Sequence, residues 1–363
     1  MKTNCNTNIF LLINSIIILN LNIIQAQQAD IPIGKYTDEW RDKTGLRVCF
    51  YNLENAFDCE NDSLKNDDTF TPEGLNHWNY FKFKKKLNNI AKVFIAIGGW
   101  EPPEIIGVCE IENEKVIKQL LYYTALKKFN YRYIHYESND FRGIDVALFY
   151  RPDKFKILHS NPIAIIDSSK LSSGTRDILY VMGVLPHQTN DTLHIFVNHW
   201  PSRYGGYAAS IEKRNFAANV LRAKIDTILN NNNTASILIM GDFNDYPTDE
   251  SITKYLNASI NPRNISEKQL LNTIYPYLIM NNVGTHKYQE HWGVLDQIIV
   301  SSAMITKNIG WKIKSTAVIF NADFLLIPDE MYLGQKTFRT YTGFRYQGGY
   351  SDHLPVFIDI ICQ

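Results

Sequence analysis

Along this chain apolar residues gather in short runs that give way abruptly to polar ones. The stretch 46–55, LRVCFYNLEN, is largely apolar up to Asn52 and closes on Glu54 and Asn55. Four more runs adjoin polar groups in the same manner: 102–113 at Glu110 and Glu112, 192–200 at Asn198 and His199, 236–244 at Asp242 and Asn244, and 350–360 at Asp352 and His353. Short apolar runs bounded by turn residues predict buried strands. Further strands are predicted over 131–138, 142–158 and 293–301, and a hairpin joins 176–185 to 192–200 around the turn residues 187–191.

Helical spacing enters between the strands. Phe83, Leu87, Ile90, Ala91 and Phe94 predict one helix within 77–97, and Val116, Leu120, Leu121, Ala125 and Leu126 predict a second, capped by Asn113. The strongest helical pattern covers 209–230. No break in composition divides the chain. The economical arrangement is an α/β sandwich of two packed, mainly antiparallel sheets with helices outside, in a single domain over 27–363.

With 45% apolar and 13% aromatic residues among 363, the chain has ample core material and is not disordered. Lys plus Arg equals Asp plus Glu at 37 each, so no global basic field draws a polyanion, although a local basic groove remains compatible. The first 26 residues read separately. Lys2 is the only charge before Asp30, Ile9 to Ile24 is mostly apolar, and Ala26 offers a small residue for cleavage. That is a signal-peptide pattern, implying a periplasmic or secreted protein. Beyond it, Cys49 and Cys109 lie in strand-like runs and read as buried small hydrophobes. No cysteine spacing suits a zinc or redox site.

The polar ends carry the chemistry. Strand alternation lets Asn52 share a face with Glu54, and Asp242 with Asn244. Asp245, with Tyr246 and Pro247, reads as the turn. Asp296 sits inside the apolar GVLDQII, where an unpaired carboxylate is costly, and a histidine is its obvious partner. Turns alone favour Asp and Asn, but they do not account for the whole set. Convergent carboxylates call for a cation, and hard oxygen donors suit Mg²⁺ or Mn²⁺.

YNLEN (51–55), CEIEN (109–113), RGIDVALFY (142–150), NHWPSR (198–203), GDFND (241–245), LDQI (295–298) and SDHLPV (351–356) together resemble the endonuclease/exonuclease/phosphatase superfamily. Its members include pancreatic-type deoxyribonuclease, abasic-site endonuclease, neutral sphingomyelinase and inositol polyphosphate phosphatases. The resemblance implies a four-layer sandwich with the site at one edge. It implies Glu110 as principal metal ligand, with Glu54 and Asp352 near the same or a second ion. It further implies Asn52 and Asn244 on water or phosphate oxygens, Asp242 orienting the attacking water, and Asp296 paired with His353. His199 falls where the deoxyribonuclease-like branch keeps a second histidine. Two departures stand out: Cys109 precedes Glu110 where Gln is usual, and Gln297 follows Asp296 where many members have Tyr.

Arg142, Asn198 and Arg203 are further candidates for phosphate binding, and Asp145 for orienting an arginine or His199. KFKKK (82–86) fits the solvated side of a helix better than a nucleic-acid contact. Trp200 either stacks a base or covers the sheet end. The expected activity is a Mg²⁺-dependent nuclease acting as a monomer on DNA, with RNA as a further substrate. A phosphoesterase for lipid head groups, inositol phosphates or nucleotides is the alternative, and a non-catalytic binding module the third reading.

Overall fold

The computed structural model describes residues 45–166, 175–280 and 282–363, all within one compact unit. The leader expected over 1–26 lies outside the described residues. Among them, no helix is long and apolar enough to cross a membrane.

Two seven-stranded sheets form the centre. In the first, the order is Trp311–Ile313, Val356–Cys362, Leu46–Ala56, Ile105–Ile111, Asp145–Tyr150 and Arg132–His135, with Val318–Ile319 also pairing onto Val356–Cys362. In the second, the order is Lys156–Ile163, Ile178–Leu185, Gln188–His199, Ser236–Asp242, Asp296–Ser301, Leu270–Asn272 and Ala258–Ser259. Most neighbours are antiparallel. Besides the short pair Ala258–Ser259 and Leu270–Asn272, two long pairs run parallel: Leu46–Ala56 with Ile105–Ile111, and Gln188–His199 with Ser236–Asp242. Parallel neighbours need a long crossover, and the helices Tyr80–Ile97 and Tyr207–Asn231 supply it in the two cases.

The continuous apolar runs are explained by burial on both faces. In Ser236–Asp242, Leu238 and Met240 join the core between the sheets, while Ile237 and Ile239 pack under the long helix with Ala217, Leu221 and Ile225. Each such side chain, fully removed from water, contributes about 1.5–3 kcal/mol. The sheets approach so closely that a Cβ on Gly107 would lie 2.8 Å from the sulfur of Met240.

The run expected as one strand over 142–158 is two. Asp145–Tyr150 belongs to the first sheet and Lys156–Ile163 to the second. Between them Arg151–Phe155 turns, its backbone N–H groups at 154 and 155 both donating to the Arg151 carbonyl. Pro152 has no N–H to give to a ladder, which makes it a natural place to change sheets. The basic run 82–86 also departs from expectation, because Lys86 lies on the buried side of its helix, 1% exposed. Cys49 and Cys109 are buried, and all four cysteines of the described residues are free.

Candidate active site

The polar strand ends meet at one edge of the sandwich. Their backbone departs from strand geometry just where the carboxylates sit. Glu54, Asn55, Glu110 and Asn244 have φ of 51°, 53°, 59° and 52°, a left-handed conformation costly to residues with a Cβ. The pairing of Leu46–Ala56 with Ile105–Ile111 jumps between Asn52 and Ala56, and that of Ile105–Ile111 with Asp145–Tyr150 jumps between Cys109 and Ile111. These bulges re-aim Glu54 and Glu110 away from simple alternation.

Four groups converge at the centre. Nε2 of His199 lies 3.7 Å from Oε1 of Glu110 and 3.8 Å from Oδ2 of Asp242. Nε2 of His353 lies 3.8 Å from the same Asp242 oxygen. Behind it, Nδ1 of His353 meets Oδ2 of Asp296 at 2.6 Å, the partner that the buried Asp296 requires. Asp242 is further held by Asn52 Nδ2, which donates to Oδ2 at 3.1 Å, and by the Asn244 N–H, which donates to Oδ1 at 3.0 Å.

Their environments separate the protonation states. Burial pushes the Asp242 carboxyl up to about 6, against the opposing pull of His353. Burial, then the nearby Arg176 and Arg142, push His199 well below the ordinary histidine value, so its ring is neutral. Burial opposes charge on His353 too, but Asp296 and Asp242 outweigh it and hold that ring well above the usual value, as an imidazolium.

A second cluster flanks the first. Arg339 donates from Nε to Oε1 of Glu54 at 3.1 Å and from Nη2 to Oδ2 of Asp352 at 2.9 Å. Oε2 of Glu54 accepts from the Thr340 N–H at 2.7 Å and lies 3.4 Å from Nζ of Lys86, which also donates to Thr340 Oγ1 and the Tyr350 carbonyl. Burial works against the charge on Asp352, yet Arg339 and the two neighbouring histidines bring it down to about 2. His286 stacks on His353 with ring centroids 4.7 Å apart. Lys86, Arg339 and His286 were not expected from the sequence.

The donor chemistry fits a divalent cation at Glu110. Oε2 of that residue takes the Asn55 N–H at 2.9 Å, which leaves Oε1 toward His199 and Asp242. Donor atoms of Cys109, His199 and Asp242, and separately of Asp242, Asp296 and His353, lie within 4.8 Å of one another. Burial and the surrounding carboxylates hold the Cys109 thiol well above its usual value, so we weigh the oxygens and the imidazole over sulfur. Glu54 and Asp352 belong to the same edge but are already neutralised by Arg339 and Lys86.

Other expected residues are near the edge but otherwise engaged. Arg203 donates to the Asn244 carbonyl and to Asp245 and Asp249, and stacks between Tyr207 and Tyr246, so a phosphate contact is not what it makes. Asn198 is fully buried between the Trp200 indole N–H and the Met240 carbonyl. Trp200 is likewise buried against Phe243 and covers the sheet end rather than facing a base. Asp245 is no exposed turn: it is fully buried, 2.7 Å from Nε of Arg214. Asp145 contacts neither Arg142 nor His199; Asp140 holds Arg176 at 3.1 Å and lies 3.5 Å from Nε of Arg142. The Arg142 side chain remains 34% exposed and free to reach a ligand.

A separate opening lies beside the site. A cavity of about 490 Å³ lies between residues 282–292 and 321–335 and is bordered by Lys287 and Leu354. Alternation along extended chain turns these two side chains opposite to His286 and His353, so this cavity backs the site wall.

A family model described as Endonuclease/Exonuclease/phosphatase family matches residues 47–361. No curated protein matches the chain. The structure is similar to an endonuclease/exonuclease/phosphatase family protein from Bacteroides thetaiotaomicron, with TM-score 0.54, 18% identity, and 88% of this chain and 98% of that one covered. It is similar to a mannosyl-6-phosphatase of the same organism at TM-score 0.54 and 18% identity, covering 87% and 99%. It is also similar to the human Nocturnin catalytic domain with bound sulfate at TM-score 0.51 and 17% identity, covering 88% and 95%. At these identities the similarity carries the fold. With the family match across nearly all described residues and a cation-compatible edge of carboxylates and histidines, the chain belongs to the endonuclease/exonuclease/phosphatase family and is a metal-dependent phosphoesterase.

Proposed function

We propose that this chain is an exported, monomeric, Mg²⁺-dependent nuclease that cleaves DNA, and RNA where the strand is accessible. The observation that carries the reading is the rim of the site. Phe141, next to Arg142, and Tyr204, next to Arg203, are 53% and 94% exposed. Exposed rings stack unpaired bases, and beside Phe141 the 34% exposed Arg142 is placed to meet their backbone, whereas Arg203 is held by Asp245 and Asp249. Export rests on the sequence of the leader alone.

Within the site, Asp242 takes the proton of the attacking water as its oxygen bonds to phosphorus and the P–O bond to the leaving oxygen breaks, that oxygen taking a proton from solvent. Its value near 6 suits a base at neutral pH. The cationic His353 faces the phosphoryl oxygens, and Asp296 fixes its tautomer and orientation. Neutral His199 orients water or phosphate from the other side. Mg²⁺ held by Glu110 supplies Lewis-acid charge stabilisation when bound; Mn²⁺ suits the same donors.

A smaller phosphoester is the second reading, favoured by Arg339. Its Nη1 has no hydrogen-bond partner among the described residues, and its side chain is 41% exposed. A guanidinium there adds charge suited to a phosphomonoester. The lysines of 82–86 argue in the same direction. Lys82 lies over the Tyr341 and Tyr346 rings, Lys84 donates to Gln119, and Lys86 is buried, so no free basic stripe is left there.

The test compares plasmid, single-stranded DNA, RNA, sugar and inositol phosphates, sphingomyelin and a chromogenic diester, with Mg²⁺ and with chelator. The expected result is cleavage of nucleic acid that chelation and Glu110→Ala abolish. In addition, Phe141→Ala with Tyr204→Ala should slow polymer cleavage at least about 30-fold, given about 1–3 kcal/mol for each of two stacked bases, and spare the chromogenic diester. Hydrolysis of the small esters with DNA left intact would move the assignment to the second reading.

A further inference from the structure

A second cluster of ionisable side chains lies away from the catalytic edge, on strands that the reaction does not use. Arg132–His135 and Asp145–Tyr150 are antiparallel, with His135 opposite Ala147. Continuing that register sets Glu137 opposite Asp145, and alternation puts His135 and Glu137 on one face. One donor atom from each of His135, Glu137 and Asp145 lies within 4.8 Å of the others.

Two buried atoms here lack partners. Oδ2 of Asp145 and Nε2 of His135 are both buried without a hydrogen bond. They sit 3.3 Å apart, on side chains 2% and 5% exposed, but not aligned to bond each other. Oδ1 of the same aspartate is satisfied by the Ser138 N–H at 3.0 Å, so the orphaned oxygen is the one turned toward the cluster. Leaving a buried carboxylate oxygen and a ring nitrogen unpaired is costly. The nearest cation, Lys65, gives its ammonium to the Ser138 and Asp140 carbonyls. Burial, then Asp145, raise the Glu137 carboxyl against the opposing charges of His135 and Lys65.

We propose that His135, Glu137 and Asp145 form a second divalent-cation site that ties the end of the edge strand Arg132–His135 to Asp145–Tyr150. One imidazole among carboxylates favours a borderline-to-hard ion such as Mn²⁺ over Ca²⁺. The site holds both ends of the segment 138–144. That segment carries Asp140 and Arg142, whose charge bears on His199. An ion here therefore steadies the arginine side of the catalytic edge without touching substrate.

Mn²⁺ titration followed by calorimetry and by thermal melting tests this in Glu110→Ala protein, which removes the principal catalytic ligand. The expected result is one tight Mn²⁺ equivalent with a raised melting temperature. Glu137→Gln and Asp145→Asn, each in that background, should weaken it at least about 10-fold. Glu137 is exposed, so the first of these folds even if Asp145→Asn does not. No Mn²⁺ uptake by Glu110→Ala protein, or uptake that both substitutions leave unchanged, overturns the proposal.

Discussion

Nδ1 of His353 lies 2.6 Å from Oδ2 of Asp296, and the other oxygen of that aspartate is buried with no hydrogen bond. The pair is therefore held from one side only, and the ring depends on Asp296 for both its orientation and its charge. Asp296→Asn keeps the shape and removes the charge. The ring then loses the largest influence opposing its burial. Turnover should fall about 10³- to 10⁴-fold, as when the carboxylate behind a catalytic histidine is neutralised, with KM little changed. Steady-state kinetics decides it: equal losses in kcat and kcat/KM are expected, and a change confined to KM contradicts the role.

The pH profile should be bell-shaped. Activity that needs ionised Asp242 rises as pH climbs through about 6, and activity that needs protonated His353 falls as pH passes its raised value. Stability is set by opposing groups: His199 and His286, held below the ordinary value, are neutral when folded and so add stability as pH climbs to about 6.5. His353 is raised, so its contribution is complete below about 6.5 and is lost as pH rises through the folded value. Asp242 is raised as well, so the native state retains a proton that the unfolded chain releases above about 3.9, and its contribution to stability declines from there until about 6. Thermal midpoints measured from pH 7 to 9 should fall, and should fall less in Asp296→Asn.

The sequence made the strand ends legible because buried strands and the acids after them alternate at short range. Asp296 needed a partner by its apolar neighbours alone. The cationic half of the site was hidden for a physical reason. Thr340 and Glu54 are 286 residues apart, and nothing local in FRTYTG declares that Arg339 and the Thr340 N–H will meet a carboxylate near the start of the domain. Lys86 sat in a basic run whose spacing matched a solvated helix face, and its burial depends on Glu54, Thr340 and Tyr350 closing over it. Bulges were equally invisible: the period of two that groups Asn52 with Glu54 is broken between Asn52 and Ala56. Arg203 and Asp245 were separated by the sequence into ligand and turn, whereas they bind each other at 3.3 Å.

The two cations on Glu54 should behave differently when removed. Lys86 is 1% exposed and Glu54 is 5% exposed at the side chain, so Lys86→Met strands a buried carboxylate and should cost about 3 kcal/mol of unfolding free energy. Arg339 is 41% exposed, and Arg339→Ala should cost about 1 kcal/mol or less. It also frees one oxygen each of Glu54 and Asp352. Calorimetric titration with Mn²⁺ should then find one more equivalent bound than in the parent protein. An unaltered stoichiometry would mean that these carboxylates do not serve a cation even when released.

Gly241 gives the most local test of how the fold sets the site. It precedes Asp242 on a strand parallel to Gln188–His199, opposite Asn198. A Cβ built there would lie 2.5 Å from the Asn198 carbonyl oxygen and 2.6 Å from its Cβ. Both obstacles are close to the backbone and cannot swing aside. Gly241→Ala must therefore push the two strands apart or twist the end of Ser236–Asp242, a strain of about 1–3 kcal/mol. The same displacement moves Asp242 from Asn52 and from both histidines. Chemical denaturation should report the loss of stability, and kcat should fall about 10²-fold from so small a misplacement of the base. If stability drops while kcat holds, Asp242 is not positioned by this close approach, and its alignment rests on the Asn52 and Asn244 hydrogen bonds alone.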